Sequence, residues 1–150
     1  MRIAFAADHA GFSLKERLMA LAIELGHEAR DLGTRGLASV DYPDYGAACG
    51  RAVVAGEADL GVAVCGTGIG ISIAANKVAG ARAALVTDSF TAQAAREHND
   101  ANLIAFGERV TGPGVAELAL RTFREARFAG GRHQGRVDKI RGLEAVPKKP

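Results

Sequence analysis

Short apolar runs alternate along this chain with stretches of helical period, and no other feature restricts its fold so tightly. "RIAFAA" (2–7), "EARDL" (28–32), "LGVAV" (60–64), "ARAALV" (81–86) and "NLIAF" (102–106) have the length and apolar content of strands. After the first of them Leu14, Leu18, Leu21 and Leu25 recur at helical spacing, and Gly26 closes the run. Ser13 and Glu16 are spaced as a capping box at its start. Helices are expected likewise over 43–55, where Pro43 suits a first helical position, and over 71–78, 89–98 and 113–128. Strands separated by helices join through right-handed crossovers into a parallel sheet covered on both faces. The expected fold is one doubly wound, Rossmann-like α/β domain with five parallel strands over residues 1–130. Residues 131–150 have no strong period and read as a basic C-terminal extension of that domain, packed on a partner subunit, with "VPKKP" frayed at its end.

Composition narrows the function classes. With 150 residues, 48% apolar and 24% charged, the chain suits a single soluble domain with a real core. No apolar run reaches membrane length, and Asp8 and His9 fall where a signal peptide stays apolar. Two cysteines make no disulfide framework, so a cytoplasmic location is expected. A net charge of +2 gives no reason to expect nucleic acid. The last residues carry Arg132, Arg136, Lys139, Arg141, Lys148 and Lys149 against Asp138 and Glu144. That excess suits an anionic partner, although most such tails are solvated faces.

Ligands of open parallel sheets bind beyond the carboxyl ends of the strands. Asp8 and His9, then Cys65 to Gly70, then Asp88 stand at three of those ends. In "CGTGIG" (65–70) the glycines at 66, 68 and 70 let backbone amides approach a ligand, and a helix start follows. A cysteine at that place can serve as base or nucleophile, with Thr67 orienting the sulfur or donating to a substrate oxygen. The plain alternative is a buried strand-end cysteine beside a tight turn. A dinucleotide fingerprint does not fit, because its third glycine falls at Ile71. A cysteine phosphatase loop lacks its arginine here, and a thioredoxin site lacks its second cysteine.

In "REHND" (96–100), His98 and Asn99 fall where a helix ends before the fifth strand, at the amino edge of the sheet and away from Cys65. They either cap that helix or serve a neighbouring subunit, and a histidine suits proton shuttling. Arg132 and Arg136, in "GGRHQGRVDKI" (130–140), are one helical turn apart and can face one anion, with Arg109 a further candidate for it. His9 beside Asp8 either binds a substrate hydroxyl or phosphate or closes the strand. His27 is a surface residue in this reading, and Cys49 belongs to the core.

"ADHAGFSLK" (7–15), "DYPDY" (41–45), "CGTGIGISIAANK" (65–77), "REHNDANLIAFGERV" (96–110) and "GGRHQGRV" (130–137) resemble the type B ribose-5-phosphate isomerases, a family that includes galactose-6-phosphate isomerase subunits. The resemblance runs in order over nearly the whole chain. It implies an aldose–ketose isomerase working through a cis-enediolate, without metal or other cofactor, first of all on ribose 5-phosphate and ribulose 5-phosphate. Allose 6-phosphate, galactose 6-phosphate and erythrulose 4-phosphate are the alternative substrates. A nucleotide-binding module without catalysis is the alternative from another class. Carried over by position, Cys65 is the base, Thr67 assists it and His98 opens the sugar ring. Asn99 and the amides of Gly66, Gly68 and Gly70 stabilise the enediolate oxygen. Asp8 holds hydroxyls, while His9, Arg109, Arg132 and Arg136 take the phosphate. His133 stands in the same motif with a less defined role. One branch of the family replaces the cysteine by a later glutamate, and 71–75 offers no carboxylate here. The resemblance also implies a homodimer, or a tetramer, with each site built from two chains, so that His98, Asn99 and the basic segment reach a neighbour's Cys65. Residues 33–43 are expected to set pocket length.

Overall fold

The structure, a computed structural model, describes residues 1–145. Lys148, Lys149 and the expected frayed end over 146–150 lie outside the described residues. Five strands form one sheet, β1 (Arg2–Ala7), β2 (Glu28–Asp31), β3 (Leu60–Cys65), β4 (Ala83–Leu85) and β5 (Leu103–Gly107). Every pairing is parallel, and the order is β2-β1-β3-β5-β4. The helices are α1 (Phe12–Glu24), α2 (Tyr42–Val54), α3 (Ile69–Ala75), α4 (Ser89–Asn99), α5 (Pro113–Glu125) and α6 (Gln134–Gly142). This is the doubly wound fold that the alternation predicts.

The two faces of the sheet differ in side-chain size, because alternate strand residues point to opposite sides. Ile3, Phe5, Val62, Val64, Ile104 and Phe106 pack with buried residues of α1, α4 and α5. Ala4, Ala6, Ala63 and Ala105 face the other way, toward α2 and α3. Small residues bring those helices close. A Cβ on Gly46 of α2 would lie 2.6 Å from the Ile71 carbonyl oxygen of α3.

Local details depart from expectation. Ser13 and Glu16 form no capping box, because α1 begins at Phe12 and Ser13 is already inside it. The Leu14 amide donates instead to Glu108 Oε2 at 2.9 Å, from the loop after β5. Asp8 caps a 3-10 turn (His9–Gly11) placed before the helix, accepting from the Ala10 and Gly11 amides. The segment after Gly130 contains α6 even though its period is weak; only Val137 of that helix is buried. It lies against its own chain, where Arg141 reaches Asp100 and Glu144 accepts from the Gly80 amide.

Candidate active site

The sense in which successive strands are added reverses between β1, which has β2 on one side, and β3, which leads on to β5 on the other. That switch point opens a crevice beyond the carboxyl ends of β1 and β3. A cleft of about 510 Å³ occupies it, lined by Asp8, His9, Tyr42, Cys65, Gly66, Thr67, Gly70 and Arg109, with Ile69 and Ile73 at its apolar side. The strand ends are locked in register there, with Cys65 opposite Gly107 and the Asp8 amide donating to the Val64 carbonyl.

Cys65 is 4% exposed, and its sulfur accepts from the Gly68 amide at 3.1 Å. Gly68 holds φ at 76°, a left-handed conformation that costs glycine least, and a Cβ on it would lie 2.5 Å from Leu85. Gly107 is equally confined, because its Cβ would meet the Thr67 carbonyl carbon at 2.5 Å. The loop is thus pressed against the end of β5. Thr67 Oγ1 accepts from the Ile69 amide. The amides of Gly66, Thr67 and Gly70 have no partner among the described residues. They are donors of the kind an anionic oxygen needs.

Around the sulfur the polar groups are individually oriented. Asp8 spends Oδ1 on the Ala10 and Gly11 amides, at 3.0 and 3.1 Å, which leaves Oδ2 uncommitted among the described residues. His9 Nδ1 accepts from the Val40 amide at 3.2 Å, and a backbone N–H can only donate. The neutral ring therefore carries its proton on Nε2, a donor for a hydroxyl or phosphate oxygen. The Arg109 guanidinium lies over Gly66 and forms no ion pair among the described residues. Tyr42 was missed in the sequence reading as a lining residue. Its ring lies where a Cβ on Gly70 would sit, and the "DYPDY" motif together with the glycine at 70 was the available signal.

Asp88 is a correction. It does not line this cleft, because β4 is the far edge strand and the carboxylate caps α4, accepting from the Thr91 amide at 2.7 Å. That bond, with the Thr91 hydroxyl, holds the Asp88 carboxyl below its usual range. Cys49 is a core residue as expected, fully buried on α2.

His98, Asn99, Arg132, His133 and Arg136 do not line the cleft of their own chain. Arg109 is therefore separated from the two later arginines, with which it was expected to share an anion. Asn99 borders a larger hollow of about 780 Å³ with Arg82, Ile140 and Glu144. His98 lies against His133, and Arg132 and Arg136 are exposed beside them. Asp100 pins this end of α4. Its carboxylate takes Arg96 at 2.8 Å, Arg82 at 3.0 Å and Arg141 at 3.5 Å, from a left-handed backbone at φ 46°. Among the described residues no group of His, Cys, Asp and Glu side chains is placed to hold a metal ion, and no helix is long and apolar enough to cross a membrane.

An open parallel sheet whose switch point gathers a cysteine, a histidine donor, and loop amides and an arginine without partners among the described residues has the architecture of an α/β enzyme for small anionic substrates. A family model described as Ribose/Galactose Isomerase matches residues 3–140. The chain belongs to that family. It is similar to ribose-5-phosphate isomerase B of Escherichia coli (strain K12), at 46% identity over 95% of this chain and 96% of the relative. A solved structure of Clostridium thermocellum ribose-5-phosphate isomerase B superposes with a TM-score of 0.95 at 50% identity, covering 96% of this chain and 97% of that one. The galactose-6-phosphate isomerase subunit LacB of Clostridium acetobutylicum is 41% identical over 97% of this chain and 83% of its own length.

Proposed function

We propose that this chain is a sugar-phosphate aldose–ketose isomerase that interconverts ribose 5-phosphate and ribulose 5-phosphate. The observation that carries the reading is the Cys65 sulfur at the carboxyl end of β3, beside free loop amides and in one cleft with Asp8, His9 and Arg109. Cys65, acting as the base, takes the C2 proton of the open-chain aldose and returns it to C1 while the hydroxyl proton on O2 passes to O1, so atoms balance and the reaction is redox-neutral overall. The amides of Gly66, Thr67 and Gly70 hold the enediolate oxygen as it becomes negative, and Thr67 assists at the sulfur. Gly68 commits its own amide to Cys65. Asp8 Oδ2 accepts from sugar hydroxyls. His9 and Arg109 meet the phosphate, whose remote binding energy helps position the reacting carbons.

His98, Asn99, Arg132 and Arg136 lie apart from this cleft in one chain, which supports a homodimer, or a tetramer of such pairs, that completes each site from a neighbour. Exposed Ile69 and Ile73 at the rim, with Leu85 and Phe90 also exposed, offer apolar area for that contact. In this arrangement His98 opens the furanose ring, Asn99 adds to the oxyanion site and the two arginines close on the phosphate. Residues 131–145 then belong to the same domain and reach the partner. A cytoplasmic location goes with this reading.

The test is conversion of ribose 5-phosphate by pure protein in EDTA, alongside Cys65→Ala. The variant is expected to lose about 10³-fold in kcat with KM little changed. Near-normal turnover in the variant removes Cys65 as the base. Wild-type turnover of galactose 6-phosphate in preference to ribose 5-phosphate moves the assignment to the second sugar, which the similarity to the galactose-6-phosphate isomerase subunit makes the next candidate.

A further inference from the structure

The imidazoles of His98 and His133 lie face to face, centroids 4.4 Å apart and planes 9° from parallel. They are unequally placed. His133 is 8% exposed, while His98 is exposed and lies outside it. Three features of the chain build this contact. The Ala129 amide donates to the Glu97 carbonyl at 2.9 Å, one residue before His98. Gly130 and Gly131 then take φ of 61° and 55°, left-handed conformations that turn the chain into α6. Val137, one helical turn after His133, is fully buried, so these two form the inner face while Arg132 and Arg136 stay outside.

The backbone under His98 is fixed by Asp100, yet among the described residues its ring has no hydrogen bond to set its plane. The outer torsion of a histidine is broad, so an exposed imidazole at a helix end samples many orientations unless a neighbour restrains it. Proton exchange with a sugar oxygen needs the ring nitrogen on the hydrogen-bond line.

We infer that His133 is the positioning residue for His98, its ring serving as the platform that fixes the plane in which His98 meets the sugar ring oxygen. The inference rests on the proposed role of His98 in ring opening. An inward ring beneath another imidazole is poorly placed to join the outward Arg132 and Arg136 on a phosphate. Burial first, then the His98 ring and the Arg132 and Arg136 guanidiniums, hold the His133 pKa below its ordinary value, a direction that favours the uncharged ring.

The experiment compares His133→Ala with His133→Phe, which keeps a flat ring and removes the nitrogens. His133→Ala is expected to lower kcat about 10-fold or more with KM within about twofold, and His133→Phe to recover most of that loss. In a His98→Gln background His133→Ala adds no further loss. A rise in KM as the main effect of both variants assigns His133 to phosphate binding and overturns the inference, as does an equal kcat loss in both. Independently of turnover, the His98 ring-proton NMR resonance should move in His133→Ala and stay near its wild-type position in His133→Phe. An unmoved resonance in His133→Ala overturns the platform. Absence of wild-type turnover counts against the proposed reaction and leaves the NMR comparison decisive for the contact.

Discussion

The Cys49 thiol sits between the carbonyl oxygens of Ala4 and Val62, 3.7 and 3.8 Å from its sulfur, and burial pushes it up to about 12 from an ordinary 9.0. Cys65 is nearly as buried, yet its sulfur meets an amide and the wall of a cleft. A thiol whose pKa is raised by folding supports the fold fully below its unfolded value and loses that support as pH rises toward its folded value. Unfolding free energy measured in urea should therefore fall between about pH 9 and about pH 12, with Cys49 contributing up to about 1.4 kcal/mol per pH unit. Cys49→Val should remove that part of the slope; an identical slope in the variant would refute it. At this scale the two cysteines were legible, because one stands inside an alanine-rich helix and the other ends a strand before glycines. Tyr42 was not, because its place at the site comes from packing on Gly70, a contact 28 positions distant in sequence.

Elements were legible where periodicity reports burial. Every strand and the first five helices fall where the apolar pattern puts them. α6 escaped because a helix with a single buried residue leaves almost no stripe. The capping box failed because Asp8, already at the strand end, supplies a turn that delivers the chain into α1. Strand order was not legible, since nothing local tells β5 to insert between β3 and β4. α1 also carries Lys15, fully buried, whose Nζ meets both Asp31 oxygens at 2.8 Å and the Thr34 carbonyl at 3.1 Å. This ties α1 to the loop that brings Val40 to His9. Asp31 is 26% exposed and can return to water, whereas Lys15 cannot. Removing the acid should therefore cost more than removing the base: about 3 kcal/mol for Asp31→Leu against about 2 kcal/mol for Lys15→Met. Urea unfolding of both variants checks the order, and the reverse order would show that Glu16, whose exposed carboxylate lies 3.0 Å from the same Nζ, suffices to hold the buried ammonium.

For the whole molecule, the division of site residues between two ends of one chain makes a prediction that no single-chain arrangement shares. Cys65→Ala and His98→Gln each damage a different half of the proposed site. Co-expressed in equal amounts, random pairing places one intact site in each mixed dimer, so activity should return to about a quarter of wild type. Either variant alone should stay near its own low level. No recovery on mixing would put both residues in one subunit's site. The sequence already located His98 and Asn99 at the wrong edge of the sheet for Cys65, because helix ends and strand starts fix the edge. It had no means of showing where Arg132 and Arg136 lie relative to Arg109, since that depends on how the segment after Gly130 folds back.

The tight seat of the cysteine loop on β5 has a bearing on how this protein can diversify. Gly68 and Gly107 admit no larger side chain, and a Cβ on Gly11 would meet the Val64 carbonyl at 2.5 Å. The immediate surroundings of the sulfur thus leave almost no room for mutational drift. Gly36 meets nothing within 4 Å, and Leu37 is 72% exposed on the same rim segment that leads to Tyr42. Libraries intended to shift sugar preference should be concentrated on 35–39, where variety is tolerated at little cost to the fold, whereas a Cβ on Gly33 would already press to 2.7 Å from the Ala7 amide nitrogen.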